Sequence, residues 1–228
     1  MSLLTAFPYP PKRGLFLAVG LTLFTLAGCS HIPAPAVVEQ TDLTEPQRAK
    51  LTAHQQQLAQ WTDWQMEARG AIRDGDQGGS FSMQWQQADQ HADVMLSGPF
   101  GQGRIMLSGT PEQMQIGERG QPQHYTTEPQ EWLKEHTGWA IPIAALPDWL
   151  LGKLDPRLSE KNAINVDPAI GVDENGYLTA QTVDQWQIRY DRYDQQHDPA
   201  LPGLIEITRD DLRLRILIDE WRMTATDQ

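Results

Sequence analysis

Six histidines, at 31, 54, 91, 124, 136 and 197, are the first candidates for chemistry. An imidazole can hold a metal or move a proton near neutral pH. No two of them stand at the short spacing of a zinc site. The run Asp173-Glu174-Asn175-Gly176 has the oxygens and the glycine of a calcium loop. With Gly176 as the sixth position, however, the first ligand would be Gly171, which has no side-chain oxygen. It reads as a turn, and Asn175-Gly176 is a hairpin signal. Asp210-Asp211 places two carboxylates side by side, the material of acid–base catalysis. Adjacent acids at a strand entry read instead as a solvated turn. There is no GxSxG nucleophile elbow and no phosphate-binding loop. A single cysteine, Cys29, excludes a disulfide framework and any CxxC site. The reading is of a chain that is not an enzyme, with no metal, no cofactor and no catalytic residue.

Cys29 nevertheless has a telling position. Before it the only charges are Lys12 and Arg13, followed by an apolar run from 14 to 26 that ends in Leu26-Ala27-Gly28-Cys29. A basic start, a short apolar run and small residues describe a secretory signal peptide. The run is too short for a comfortable transmembrane helix, which needs about 20 residues. Small residues against the one cysteine resemble the lipobox of bacterial lipoproteins. That resemblance implies cleavage of a leader at 1–28, acylation of Cys29 and a chain anchored by its acyl chains. With Ser30, not Asp, in second place, it implies sorting to the outer membrane. A buried, inert cysteine is the alternative.

The 228 residues carry 30 acidic and 18 basic side chains, a net charge of −12. Without Lys12 and Arg13 the charge becomes −14. That argues against a nucleic-acid partner, which would want a basic face. A hydrophobic fraction of 39% suffices for a sizeable core.

Residues 29–44 contain two prolines and no periodicity, and read as the acylated cysteine with a flexible tether. One domain follows over 45–228. Thr44 with Gln47 forms a capping-box pattern, and Leu51, Leu58 and Trp61 give a helix from 46 to about 61. From Trp64 the period becomes two. Phe81, Met83 and Trp85, then Ala92, Val94 and Leu96, Ile105 and Leu107, and Met114 and Ile116 alternate with polar residues, an antiparallel meander with one apolar face. A helical stretch follows from 128 to about 136. Trp139 and Trp149, with Pro142 and Pro147, predict short helices over an apolar surface. Residues 153–175 read as polar loop. Strands resume with Trp186, Ile188 and Tyr190, then at 204–208 and 212–221. The fold class is mainly β with short α-helices, a strongly curved antiparallel sheet whose apolar face is covered by helices. Between two strands, Gly98-Pro99-Phe100-Gly101 makes a turn with Phe100 at its tip. Phe100 there either folds back on the core or forms an exposed apolar wedge for membrane or partner.

Several of these pieces together resemble the LolB family of outer-membrane lipoprotein receptors in the Lol sorting pathway. They are the lipobox, Arg69-Gly70, the strand from 81 to 87, Gly98-Pro99-Phe100-Gly101, Gly138-Trp139-Ala140-Ile141-Pro142, Leu146-Pro147-Asp148-Trp149-Leu150-Leu151-Gly152, and the segment 193–202. The likeness runs from about 61 to 221. It implies an unclosed β-barrel with a helical lid over an apolar cavity. It implies a periplasm-facing, lipid-anchored monomer of the outer membrane that takes acylated lipoproteins from a LolA-type carrier. Such a receptor places them in the membrane's inner leaflet. In this family the protruding loop residue is usually Leu, and Phe100 stands in its place. The acyl-chain cavity would be lined by Phe81, Met83, Trp85, Val94, Leu96, Ile105, Leu107, Trp139, Trp149, Trp186 and Ile188. The same residues would equally serve a closed core.

The physics fits that task. Three acyl chains hold roughly 45 methylenes, whose full exposure would cost roughly 36 kcal/mol at about 0.8 kcal/mol each. Chains must therefore pass from one apolar cavity to another, downhill in affinity. An acidic receptor would also steer a basic rim on its carrier. Two other classes remain open on the residues alone. One is an anchored scaffold lipoprotein with a solid sheet, which would bind no apolar probe. The other is an envelope hydrolase, which would need a polar cleft and an indispensable acid.

Overall fold

The computed structural model describes residues 38–39, 43–99, 103–118, 123–159 and 169–223. Contacts divide the chain at Ala34, and every described residue lies in the unit Pro35–Gln228. Within the stretch expected to be tether, β1 (Val38–Glu39) pairs with a later strand. Helix α1 (Glu45–Leu58) begins on a complete capping box. The Thr44 hydroxyl accepts from the Gln47 amide, and the Gln47 side chain accepts from the Thr44 amide at 3.1 Å. These bonds satisfy donors that a helix start otherwise leaves bare. Leu51, His54 and Leu58 form its buried stripe.

A meander follows: β2 (Asp63–Asp74), β3 (Gln77–Ala88), β4 (His91–Ser97), β5 (Ile105–Thr110), β6 (Gln113–Glu118) and the short β7 (His124–Thr126). Each pairs antiparallel with the next. Burial alternates as the sequence does: Trp64, Met66, Ala68 and Ile72 of β2 are inside, and Glu67, Arg69, Ala71 and Arg73 are outside. The covering elements come next. They are α2 (Pro129–Thr137), a 3-10 turn (Ile143–Ala145), α3 (Leu146–Leu151) and α4 (Pro156–Ser159). Pro147 opens α3 where a missing N–H costs nothing. Gly152 closes it at φ 75°, a left-handed cap that favours glycine.

The chain then returns through β8 (Ala169–Val172), β9 (Leu178–Val183), β10 (Trp186–Asp191), β11 (Leu204–Arg209) and β12 (Leu212–Met223). β12 closes onto β2 in antiparallel register, so the strands form one sheet in the order β1-β8-β9-β10-β11-β12-β2-β3-β4-β5-β6-β7. Among the described residues β1 and β7 do not pair with each other, so the curved sheet is an unclosed barrel with a few short helices. A register shift between Ile218 and Glu220 of β12 lets Trp221 return to the interior, where its Nε1 donates to the Pro202 carbonyl at 2.9 Å.

The sequence reading needs correction at 153–175. The stretch expected as polar loop holds α4 and β8, and β9 follows it. For β9 the reason is a polar side chain in an inward position. Gln181 of β9 is fully buried and breaks the alternation that marks a strand. Its amide is satisfied inside, donating to the Lys153 carbonyl at 3.0 Å and bonding the Tyr190 hydroxyl. β8 is only four residues long, too short to show any period.

Candidate functional site

The inner face of the sheet has a filled half and a hollow half. On the filled half, Ile188, Ile205, Ile207 and Leu178 are fully buried. Trp149 of α3 packs on Trp186 of β10 with ring centres 5.9 Å apart. Helix α1 lies on the same half: the His54 ring lies tilted against Tyr177 with centres 4.7 Å apart, and its Nε2 donates to the Ala200 carbonyl at 2.9 Å.

On the hollow half, β2–β6 and β12 face the stretch from α2 to α3 across a cavity of about 570 Å³. That volume falls in the range of ligand pockets, roughly 300–1,000 Å³. The sheet contributes Phe81, Met83 and Trp85 from β3, Val94 and Leu96 from β4, and Ile105 and Leu107 from β5. Trp139, between α2 and the 3-10 turn, faces them from the cover. The structure thus brings together eight of the expected residues. Trp149, Trp186 and Ile188 do not line this cavity. Parity correctly turns Trp186 and Ile188 inward, but their half of the sheet is packed solid.

The sequence reading left out several lining residues. Ile72, Met114, Leu214 and Ile216 come from the sheet, and Leu133, Ile141, Ile143, Leu146 and Leu150 from the cover. The alternation of β12 carried the signal for Leu214 and Ile216. Nothing local marks which side of a three-proline cover faces inward.

Polar groups in the wall are tied to one another. Trp85 Nε1 donates to Gln87 Oε1 at 2.8 Å, and Gln87 Nε2 donates to the Asp89 carbonyl at 2.8 Å. These bonds leave the indole free to present its apolar faces. The charged residues that reach the cavity are Asp89, Glu112 and Asp148. Lys153 sits 3.6 Å from Asp148.

The cover is fixed to the sheet at one end. Trp149 Nε1 donates to Asp155 Oδ2 at 3.0 Å. Asp155 is 3% exposed, and its amide donates to Gln181 Oε1 at 2.9 Å. Burial pushes the Asp155 carboxyl up, but the Arg157 side chain and amide and the Trp149 indole outweigh it, so its pKa lies below the ordinary value. A buried charge of this kind persists because every lone pair is met.

Of the loop expected to touch the membrane, Gly98 reaches the cavity and Pro99 is exposed at the end of β4. Phe100 and Gly101, and the expected acylation site Cys29, lie outside the described residues. Among the described residues no three His, Cys, Asp or Glu side chains come together as a metal site. No helix among them is long and apolar enough to cross a membrane.

The profile of the family described as "Outer membrane lipoprotein LolB" matches residues 62–221. The outer-membrane lipoprotein LolB of Cellvibrio japonicus is 31% identical over 215 residues, covering 92% of this chain and 98% of that one. The protein of the same name from Alkalilimnicola ehrlichii is 28% identical over 212 residues, covering 93% and 98%. That of Pseudomonas aeruginosa is 28% identical over 208 residues, covering 91% and 95%.

Proposed function

The chain belongs to the LolB family of outer-membrane lipoproteins, and from that premise we propose that it is a receptor for acylated proteins. It accepts lipoprotein cargo from a LolA-type periplasmic carrier and inserts the acyl chains into the inner leaflet of the outer membrane. The leader at 1–28 is removed, Cys29 carries the anchor, and the domain faces the periplasm as a monomer. It is a trafficking protein and not an enzyme.

The observation that carries this reading is the hollow half-barrel. A protein whose sheet served only as scaffold gains stability by filling its interior, because each methylene-sized void costs contacts. Here the β9–β11 half is filled and the β2–β6 half, lined by Phe81, Met83, Trp85 and Leu107, is hollow. An apolar cavity of about 570 Å³ is suited to hydrocarbon. Delivery requires an affinity step from carrier to receptor, since exposing acyl chains to water would be prohibitive.

The test mixes the mature chain with a carrier already loaded with acylated cargo and asks, by pull-down, which protein holds the cargo at equilibrium. The proposal expects the cargo on this chain. Cargo that stays on a carrier shown to be competent would contradict it and favour a scaffold role.

A further inference from the structure

The outer wall of the barrel carries a feature that the cavity does not use. On β2 and β12 the residues Arg69, Ala71, Arg73, Arg213 and Arg215 face outward, because Ile72, Leu214 and Ile216 between them are buried. Register sets Arg73 directly opposite Arg213 and Arg215 opposite Ala71. Beyond β12, Glu206 lies opposite both Arg215 and Arg189. Arg69, Arg192 and Arg215 line one cleft of about 220 Å³, floored by Gly70, Ala71, Leu204 and Leu217.

Most of these guanidinium groups are unbalanced. Arg69 is held in a fork by Asp219, at 2.9 and 2.7 Å. Among the described residues Arg73, Arg189, Arg192, Arg213 and Arg215 stand in no ion pair. Asp191, Glu206 and Asp219 are the acids of the strands nearest these arginines, Glu67 and Glu220 pair with Arg222, and Asp74, Asp76, Asp210 and Asp211 sit at or past the strand ends. Like charges directly opposite on antiparallel strands destabilise the sheet. A chain of net charge −12 has acids enough to pair every arginine, yet these five on the wall stand unpaired.

We propose that this arginine face docks on the phosphate headgroups of an anionic phospholipid bilayer, with one headgroup phosphate seated between Arg192 and Arg215, in the cleft beside the Asp219-held Arg69. The guanidinium fork matches phosphate oxygens in geometry as well as charge. The small outward side chain of Ala71 leaves room for a phosphate beside the strand. An acidic protein held at an anionic surface is repelled overall, so a cluster of unpaired arginines decides how it lies there. This orientation rests on the proposed anchoring at the outer membrane.

The experiment uses the mature chain with Cys29→Ala, so that no acyl group biases the result. Binding is read by co-sedimentation with vesicles of phosphatidylethanolamine and phosphatidylglycerol, and with vesicles of phosphatidylethanolamine and phosphatidylcholine. The expected result is preference for the anionic vesicles, falling with added salt. Each arginine removed should weaken it by roughly fivefold, tested as the pairs Arg73→Gln with Arg213→Gln and Arg192→Gln with Arg215→Gln. Lysine at 73 and 213 should restore binding, and Arg222→Gln, whose guanidinium already pairs with Glu220 and Glu67, should leave it unchanged. Thermal midpoints of the exposed-site variants should match the parent or, where the opposed Arg73 and Arg213 are both removed, exceed it. Equal binding to both vesicle types, or double variants that bind as the parent does, would overturn the proposal. So would binding abolished by dilute inorganic phosphate, which marks a small-anion site, or retention of an acidic protein with no vesicle binding. No carrier or cargo is present, so failure of cargo acceptance alone would count against the receptor reading and leave the vesicle result standing.

Discussion

The ring of Phe81 occupies the space that a side chain on Gly70 would need. The two residues are directly opposed on β3 and β2. A Cβ on Gly70 would fall 2.7 and 2.8 Å from the Cε2 and Cε1 of that ring, and closer still to its tip. Phe81 lines the cavity, so the absence of a side chain at 70 shapes one end of the hollow half.

Gly70→Ala therefore forces the Phe81 ring to move. The substitution should destabilise the domain by about 1–3 kcal/mol, the usual cost of overpacking. In a double-mutant cycle read by urea unfolding, Phe81→Ala should cancel most of that penalty. Additive effects would show that the two residues do not compete for the same space.

His54 should make the domain sensitive to mild acid. Its Nε2 bonds the Ala200 carbonyl, so the proton is on Nε2 and Nδ1 is bare, buried and without a partner. Burial lowers the His54 pKa from 6.5, against the opposing pull of the Ala200 carbonyl and Asp173. The unfolded chain then binds more protons than the folded one below that value. This contribution to stability is complete above about pH 6.5 and declines as pH falls below it toward the lowered folded value. Lys50, His197 and Asp198 stand around the same small cleft. The difference in unfolding free energy between the parent and His54→Gln should therefore change with pH below 6.5 and be constant above it. A difference independent of pH throughout would refute the assignment.

Asp155 should matter more than any surface carboxylate. Asp155→Ala leaves the fully buried Trp149 indole N–H without its acceptor, a loss of about 1–3 kcal/mol for that group alone. Asp219→Ala removes an exposed pair with Arg69 and should cost about 0–1 kcal/mol. Thermal melts of the two variants should differ by several degrees, and equal midpoints would remove Asp155 from its role in pinning α3.

The proposed anchor and the proposed insertion loop should be separable from the cavity. Cys29→Ala should yield a domain that still accepts cargo but is released from the membrane fraction. Phe100→Glu should keep acceptance and slow delivery into vesicles, since burying one Phe is worth roughly 1.5–3 kcal/mol at the bilayer. Loss of acceptance in the first, or undiminished delivery in the second, would break this division of labour.

Much of the fold was legible because its strands are half-buried. Period-two patterns in β3, β4, β5, β10 and β12 place Met83, Val94, Leu107, Ile188 and Ile216 on the inner face, and all are buried there. Alternation reports a side of the sheet and not what lies against it. Trp186 and Leu107 are equivalent in pattern, yet one meets Trp149 and the other meets the cavity. The difference is set by where α1 and α3 settle, a tertiary fact. β9 was missed because Gln181 points inward and is satisfied only by Lys153, Asp155 and Tyr190, residues distant in sequence. The Arg73–Arg213 juxtaposition was likewise invisible until register put positions 140 apart face to face.

The central claim is that the hollow half of the barrel holds the acyl chains of cargo. A photoreactive amino acid placed at Leu107, inside the cavity, and separately at Met106, its outward neighbour and 40% exposed, tests it in a single strand. After transfer of acylated cargo from its carrier, the label at 107 should crosslink to the acyl chains and the label at 106 should not. Crosslinks of equal yield at both positions, or from 106 alone, would place the acyl chains outside the barrel and contradict the account.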